Sequence, residues 1–202
     1  MPLLCVAAFL WALGWPAAKG LGAGLADMRA DRMRREEEMR EARRLGADMI
    51  LGHLAGTELS KADLQGAYAP GANLDGATLV EANLIGANLR EAALTGASLV
   101  KTDLSDANLL RANLRGANLQ GANLRATYLY DASLHGADLK HANLAQADLR
   151  YSKLQKADLR YANLEGANLE GALLSGATLD DTTVMPQGWE EIVASKPEDE
   201  PR

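Results

Sequence analysis

The chain has 202 residues, enough for one domain with a core plus short flanking segments, and 48% of them are hydrophobic while only 4% are aromatic. A core of that composition must be built from Leu and Ala, which is unusual for a globular fold and ordinary for a repeat. The net charge of -6 is modest and not gathered into one block, so charge by itself names no partner, and the single Cys5 excludes an intrachain disulfide and any metal site needing two cysteines.

Residues 1–26 form the first segment. Within it the uncharged run 3–18, LLCVAAFLWALGWPAA, resembles the apolar stretch of a secretory signal, with small residues for cleavage at Gly24, Leu25 and Ala26 before Asp27. No Lys or Arg precedes Leu3, and the run is short of the ~20 residues a bilayer span needs, so a tilted membrane anchor and a buried cap segment stand as alternatives. The expected location is exported (periplasmic, lumenal or secreted) or membrane-anchored, ahead of cytoplasmic. Any membrane association would run through residues 3–18.

Residues 27–46 are rich in Arg, Glu, Met and Ala, lack Pro, and hold no Gly before Gly46, which predicts a helix. Arg32 and Arg35 interrupt the apolar stripe of Leu25, Met28, Met39, Ala42 and Leu45, so a long coiled coil is disfavoured. A short solvated helix covering the N-terminal end of the next segment is the expectation.

From Ala47 to Pro186 the sequence reads as 140 residues in 28 units of five. The third position is Leu in 25 units, the exceptions being Met49, Ala69 and Val184, and the first is almost always Ala, otherwise Gly, Ser or Thr. Five residues at ~100° each would smear the Leu around a helix, and in a plain strand they would alternate faces. Only an extended piece with a bend in every unit keeps each Leu inward. First and third positions then share the inner face, while the second, fourth and fifth face out or turn.

Gly recurs at the fifth position at 56, 76, 96, 116, 136 and 176, with Lys156 the one miss, which favours a coil of four units and 20 residues. Seven such coils stacked at about 4.8 Å make a rod on the order of 34 Å long. The motif A-(D/N)-L-x-x, explicit in ANLRGANLQGANLRA at 112–126, resembles the pentapeptide-repeat family over about two-thirds of the chain. The resemblance implies an all-β solenoid, a right-handed quadrilateral parallel β-helix of about seven coils, with the hand taken from the family and not from the period.

Ala69, followed by Pro70, is the one small residue at the central inward site, so an irregular second coil is expected, with Tyr68 or a neighbour filling the missing volume. Residues 187–202 are expected to be a C-terminal cap, with Trp189 of PQGWEEIVA as an apolar plug, and a disordered acidic tail. Uncovered solenoid ends offer a route to homodimers.

The repeat absorbs most polar residues. His53, His135 and His141 sit at non-equivalent outward positions with no recurring carboxylate or hydroxyl at triad or metal spacing, so neither catalysis nor a metal or other cofactor is expected. The segment RYSKLQKADLRY, 150–161, looks basic and aromatic, but the 20-residue step sets Arg150 over Glu170 and Arg160 over Asp180. Lys61, Glu81 and Lys101, and Glu91, Arg111 and Asp131, repeat the arrangement, and no specific nucleic acid partner is expected. Arg115, Arg125, Lys140, His141, Lys153 and Lys156 remain as the candidate contact surface for an anion.

The function these features favour is a noncatalytic structural or protein-interaction scaffold with an unidentified protein partner. One alternative is a gyrase-binding DNA mimic of the quinolone-protection type, which the resemblance suggests and which the 16 acidic against 11 basic residues of 47–186 support only weakly. The other is an exported or membrane-tethered scaffold.

Overall fold

The structure, a computed structural model, describes residues 54–194. The 1–26 segment, the helix expected at 27–46, His53, the opening of the repeat and the acidic tail expected from 195 lie outside the described residues.

Each unit places one residue in a parallel bridge to the residue 20 positions on, as in Glu58 to Thr78 to Ser98. Four columns result, and each defines a face: face 1 runs from Glu58 to Thr178, face 2 from Asp63, face 3 from Tyr68 and face 4 from Asn73. The bridging residue is the second of its unit, between the inward first and third. The 20-residue coil therefore stands, and with it the four-sided parallel β-helix.

Backbone hydrogen bonds explain why five residues suffice. The second N–H reaches back one coil (Thr78 N to Thr57 O, 2.9 Å), the third reaches forward (Leu59 N to Thr78 O, 2.7 Å), and so does the fifth (Lys61 N to Val80 O, 2.9 Å). The first N–H closes the corner onto the carbonyl three residues earlier, as Ala62 N does to Leu59 O at 3.1 Å. Only the fourth N–H lacks a backbone acceptor, and the second side chain supplies one: Asn83 Oδ1 accepts from Ile85 N at 3.2 Å and Asn163 Oδ1 from Glu165 N at 2.9 Å. This is why Asn and Asp dominate the second position.

At every corner from Gly56 to Gly176 the fifth residue has positive φ, between 53° and 70°, while the fourth does not, which is the pattern of a type II turn. Gly suits that conformation, but thirteen residues with side chains also adopt it. The 20-residue recurrence of Gly thus reads the coil length correctly although all four corners demand the same backbone.

The core is two nested ladders of Ala and Leu. Leu at the third position is buried from Leu54 through Leu169, and Thr102 and Thr127 enter the Ala ladder by hydrogen-bonding Leu79 O at 2.6 Å and Leu104 O at 3.0 Å. Burying one Leu contributes roughly 1.5–3 kcal/mol, so the stacked ladders supply most of the favourable free energy.

Three expectations about the fold are corrected. The coil at Ala69 is regular: Tyr68 bridges Asn88, Ala69 N donates to Asn88 O at 2.8 Å, and Tyr68 points outward, 54% exposed. Pro70 occupies the fourth position, whose N–H takes no part in the ladder, so its missing donor leaves the corner intact. The second correction is at the end of the repeat. Asn163 bridges Val184, 21 residues on, and Thr183 rather than Thr182 takes the first position, its Oγ1 donating to Leu159 O at 3.1 Å. One residue is inserted where Asp180 Oδ1 accepts from Thr182 N and Thr182 Oγ1 and Asp180 N donates to Thr183 Oγ1, and Val184 is turned outward, 47% exposed.

Beyond this turn a short helix, α1, spans Trp189–Ala194, with Glu190 and Glu191 in its first turn where the helix dipole favours them. Trp189 is only half-buried and so is not a buried plug, and Leu174 and Leu179 at the last coil are half-buried too. None of the helices among the described residues is long and apolar enough to cross a membrane.

Candidate functional site: an aromatic groove on face 3

Second and fourth residues of a unit lie two apart on one short strand, so their side chains share the outer surface. Stacking at 20-residue intervals then decides what each meets. On face 1, Lys140 Nζ lies 3.1 Å from Asp138 and 3.2 Å from Asp158, and Arg160 grips Asp158 at 2.6 Å. Gln120 Nε2 donates to Asp138 Oδ2 at 2.7 Å and extends the chain of contacts. The Asp158 carboxyl is held well below the usual carboxylate range, first by the Arg160 hydrogen bonds, and Lys140 is pushed up by its two Asp partners.

Arg150 and Arg160 do not take Glu170 and Asp180 as ion-pair partners. Arg150 chelates Asp148 through Nε at 2.8 Å and Nη2 at 2.7 Å, and Arg160 does the same to Asp158. The reason is local: the Asp already accepts the arginine's own backbone N–H, which fixes its carboxylate in front of the guanidinium. At the corners the 20-residue rule does operate, with Lys61 to Glu81 and Arg111 to Asp131 both at 3.6 Å.

The candidate anion-contact residues are not brought together. Lys140 lies on face 1 and is bound by two carboxylates, Arg125 on face 2 donates to Gln146 at 3.2 Å, and His141 at the corner between these faces stacks on Tyr161 with ring centroids 4.6 Å apart. Arg115 and Lys153 are on face 4, with Lys156 at its corner, and Lys153 sits 3.9 Å from Asp131. They form no single surface. Among the described residues no cluster of three His, Cys, Asp or Glu could hold a metal ion.

Face 3 carries a different feature. Asn108, Tyr128 and Asp148 stack at the second position, and Leu110, Tyr130 and Arg150 at the fourth, enclosing a shallow groove of about 340 Å³. Tyr128 is 57% exposed, Arg150 lies 5.5 Å from the Tyr130 ring centroid, and Tyr151 at the next corner tilts onto Tyr130 at 5.3 Å. Arg150 is raised above its ordinary value and Asp148 lowered, each chiefly by their mutual hydrogen bonds, so the pair stays charged and internally neutral. Applying the 20-residue step to Tyr128 and Tyr130, and not to charges alone, gives their neighbours Asp148 and Arg150 from the sequence, though not the groove.

Among curated proteins no relative matches the chain. Three solved structures are similar: alr5209 from Nostoc PCC 7120, 41% identical over 45% of this chain and 75% of that one with a TM-score of 0.45; HetL, involved in heterocyst differentiation regulation in Nostoc sp. strain PCC 7120, 37% identical over 59% and 73% with a TM-score of 0.31; and Rfr23 from Cyanothece 51142, 32% identical over 63% and 90% with a TM-score of 0.37. All three are pentapeptide repeat proteins. The family model for pentapeptide repeats matches in eight copies, over 57–96, 87–125, 107–144, 127–160 and 152–184. With the A-(D/N)-L-x-x unit, the four bridge columns and this match in agreement, the chain belongs to the pentapeptide-repeat family.

Proposed function

We propose that the protein is a noncatalytic scaffold, a rigid β-helix that holds a protein partner on face 3. The observation that carries the reading is the groove at Tyr128 and Tyr130: it exposes aromatic surface where faces 1 and 2 present neutralised charges and amides. Exposed aromatic side chains on a rigid support give large contact area at small entropic cost. A photo-crosslinking residue at position 128 is expected to capture a discrete protein in cells, and the same residue at position 145 on face 2 is not. Equal capture at both positions would remove the reading.

The alternative of a gyrase-binding DNA mimic finds little support in the charge pattern, since Asp138, Asp148 and Asp158 are each bound by Lys or Arg and the surface carries no long uncompensated acidic row there. A supercoiling assay with a quinolone is expected to show no protection. An exported or membrane-tethered setting rests on residues 3–18 alone, and sequencing the mature N-terminus with membrane fractionation tests it. End-to-end pairing is supported by half-buried Leu174 and Leu179 beside exposed Val184. Val184→Asp should then shift the mass measured by light scattering from dimer to monomer.

A further inference from the structure

We propose that the face 3 groove binds a proline-rich, polyproline II segment of the partner, an inference that rests on the scaffold reading above and names the chemistry of what it holds. The argument starts from the hydrogen-bond inventory of the groove. Its strong side-chain acceptors are engaged: Asn108 Oδ1 accepts from Leu110 N at 3.1 Å, and Asp148 takes the Arg150 backbone N–H and two guanidinium N–H groups. What is left over is mostly donors, the two tyrosine hydroxyls being able to accept as well. Asn108 Nδ2, the Tyr128 and Tyr130 hydroxyls and the remaining N–H groups of Arg150 make no hydrogen bond among the described residues.

A ligand complementary to this set offers more acceptors than donors. An ordinary extended peptide brings one N–H per carbonyl, and a saccharide hydroxyl donates as well as accepts; a proline-rich chain presents carbonyls with almost no N–H. Its pyrrolidine rings fit the exposed Tyr128 ring, aromatic side chains being the usual partners of such segments, while Tyr130 is half-buried against Arg150 and Tyr151. Charge agrees, because the Arg150–Asp148 pair at 2.7 Å leaves the groove neutral and gives neither an acidic nor a basic peptide an advantage.

Depth agrees as well. A groove of about 340 Å³ that is open along one side buries little surface, so a flexible ligand would lose in ordering most of what it gained in contact. Polyproline II is already extended before binding and has little freedom to lose. The wall is equally fixed, since Tyr128 N and Leu129 N are bonded to the coils on either side at 3.0 and 2.8 Å.

The test is an NMR titration of the full chain with capped decaproline, against a capped peptide of equal length with Ala for every Pro and against a neutral maltohexaose. Decaproline is expected to bind with a dissociation constant on the order of 0.1–1 mM, with shifts confined to residues 108–110, 128–130 and 148–150. Tyr128→Ala and Tyr130→Ala should each weaken it at least tenfold, while Tyr68→Ala, an exposed tyrosine on the same face at a distant coil, should leave it unchanged. Tyr128 is outward, so its replacement leaves the core alone, and matching amide spectra for the variants verify the fold. No shifts at several millimolar decaproline, equal binding of the Ala peptide, or preference for maltohexaose would each overturn the proposal. If crosslinking at position 128 still captures a protein while decaproline fails, the scaffold reading stands and only the proline chemistry falls.

Discussion

At the residue scale the fifth position is the tightest constraint on each unit. An L side chain in the left-handed region costs about 1–2 kcal/mol, and the repeat tolerates it at thirteen corners because each such N–H is held by the next coil, as in Tyr151 N to Glu170 O at 2.9 Å. Gly116→Ala, with open space around its Cβ, should cost about 1 kcal/mol in urea denaturation through backbone strain alone. Gly171→Ala should cost more, since its Cβ would lie 2.6 Å from the Tyr151 ring, and the displaced ring should alter the near-ultraviolet circular dichroism. Ser152 offers the opposite case. Its hydroxyl is buried in the Ala ladder with no hydrogen-bond partner, unlike Thr102 and Thr127, so Ser152→Ala should stabilise by about 1 kcal/mol.

At the scale of the element, a face is a column of short strands whose outward side chains are read one coil apart. Part of this was legible in the sequence. The 20-residue step anticipated Lys61 with Glu81 and Arg111 with Asp131 at corners, where one residue projects per coil. It missed Arg150 and Arg160, because on a flat face a residue two away in the same unit competes with the one 20 away, and the Asp Asx turn orients the nearer carboxylate. The face 1 and face 3 pairs set the acid limb of stability. Asp148 and Asp158 have folded values below their unfolded ones, so their contribution is full above the ordinary carboxylate range near about pH 4 and is lost as pH falls through the lowered values. The melting temperature should therefore hold from neutral pH to about 4 and drop below it, and Asp158→Asn should lower the plateau and flatten the drop.

For the whole molecule, each coil touches only its neighbours, so the consequence of a cavity depends on where along the rod it lies. Leu119→Ala, in a fully buried central site, should cost about 2–5 kcal/mol and broaden or split the urea transition, whereas Leu174→Ala at the half-buried last coil should cost less and leave one transition. Equal costs at the two sites would contradict the nearest-neighbour picture.

The five-residue alternation of Ala and Leu determined by itself that the inner face is continuous and that every unit bends, since no other backbone keeps Leu54 through Leu169 on one side, and the 20-residue recurrence of Gly that four bends complete a coil. Only the tertiary structure decided which charges pair, that the Ala69 coil is regular, that Val184 leaves the inner ladder and that Tyr128 and Tyr130 frame a groove with Arg150. The physical reason is the same in each case. Inward positions answer to the local period, which is written along the chain, while outward positions and the final coil answer to neighbours 20 residues away, or to having none.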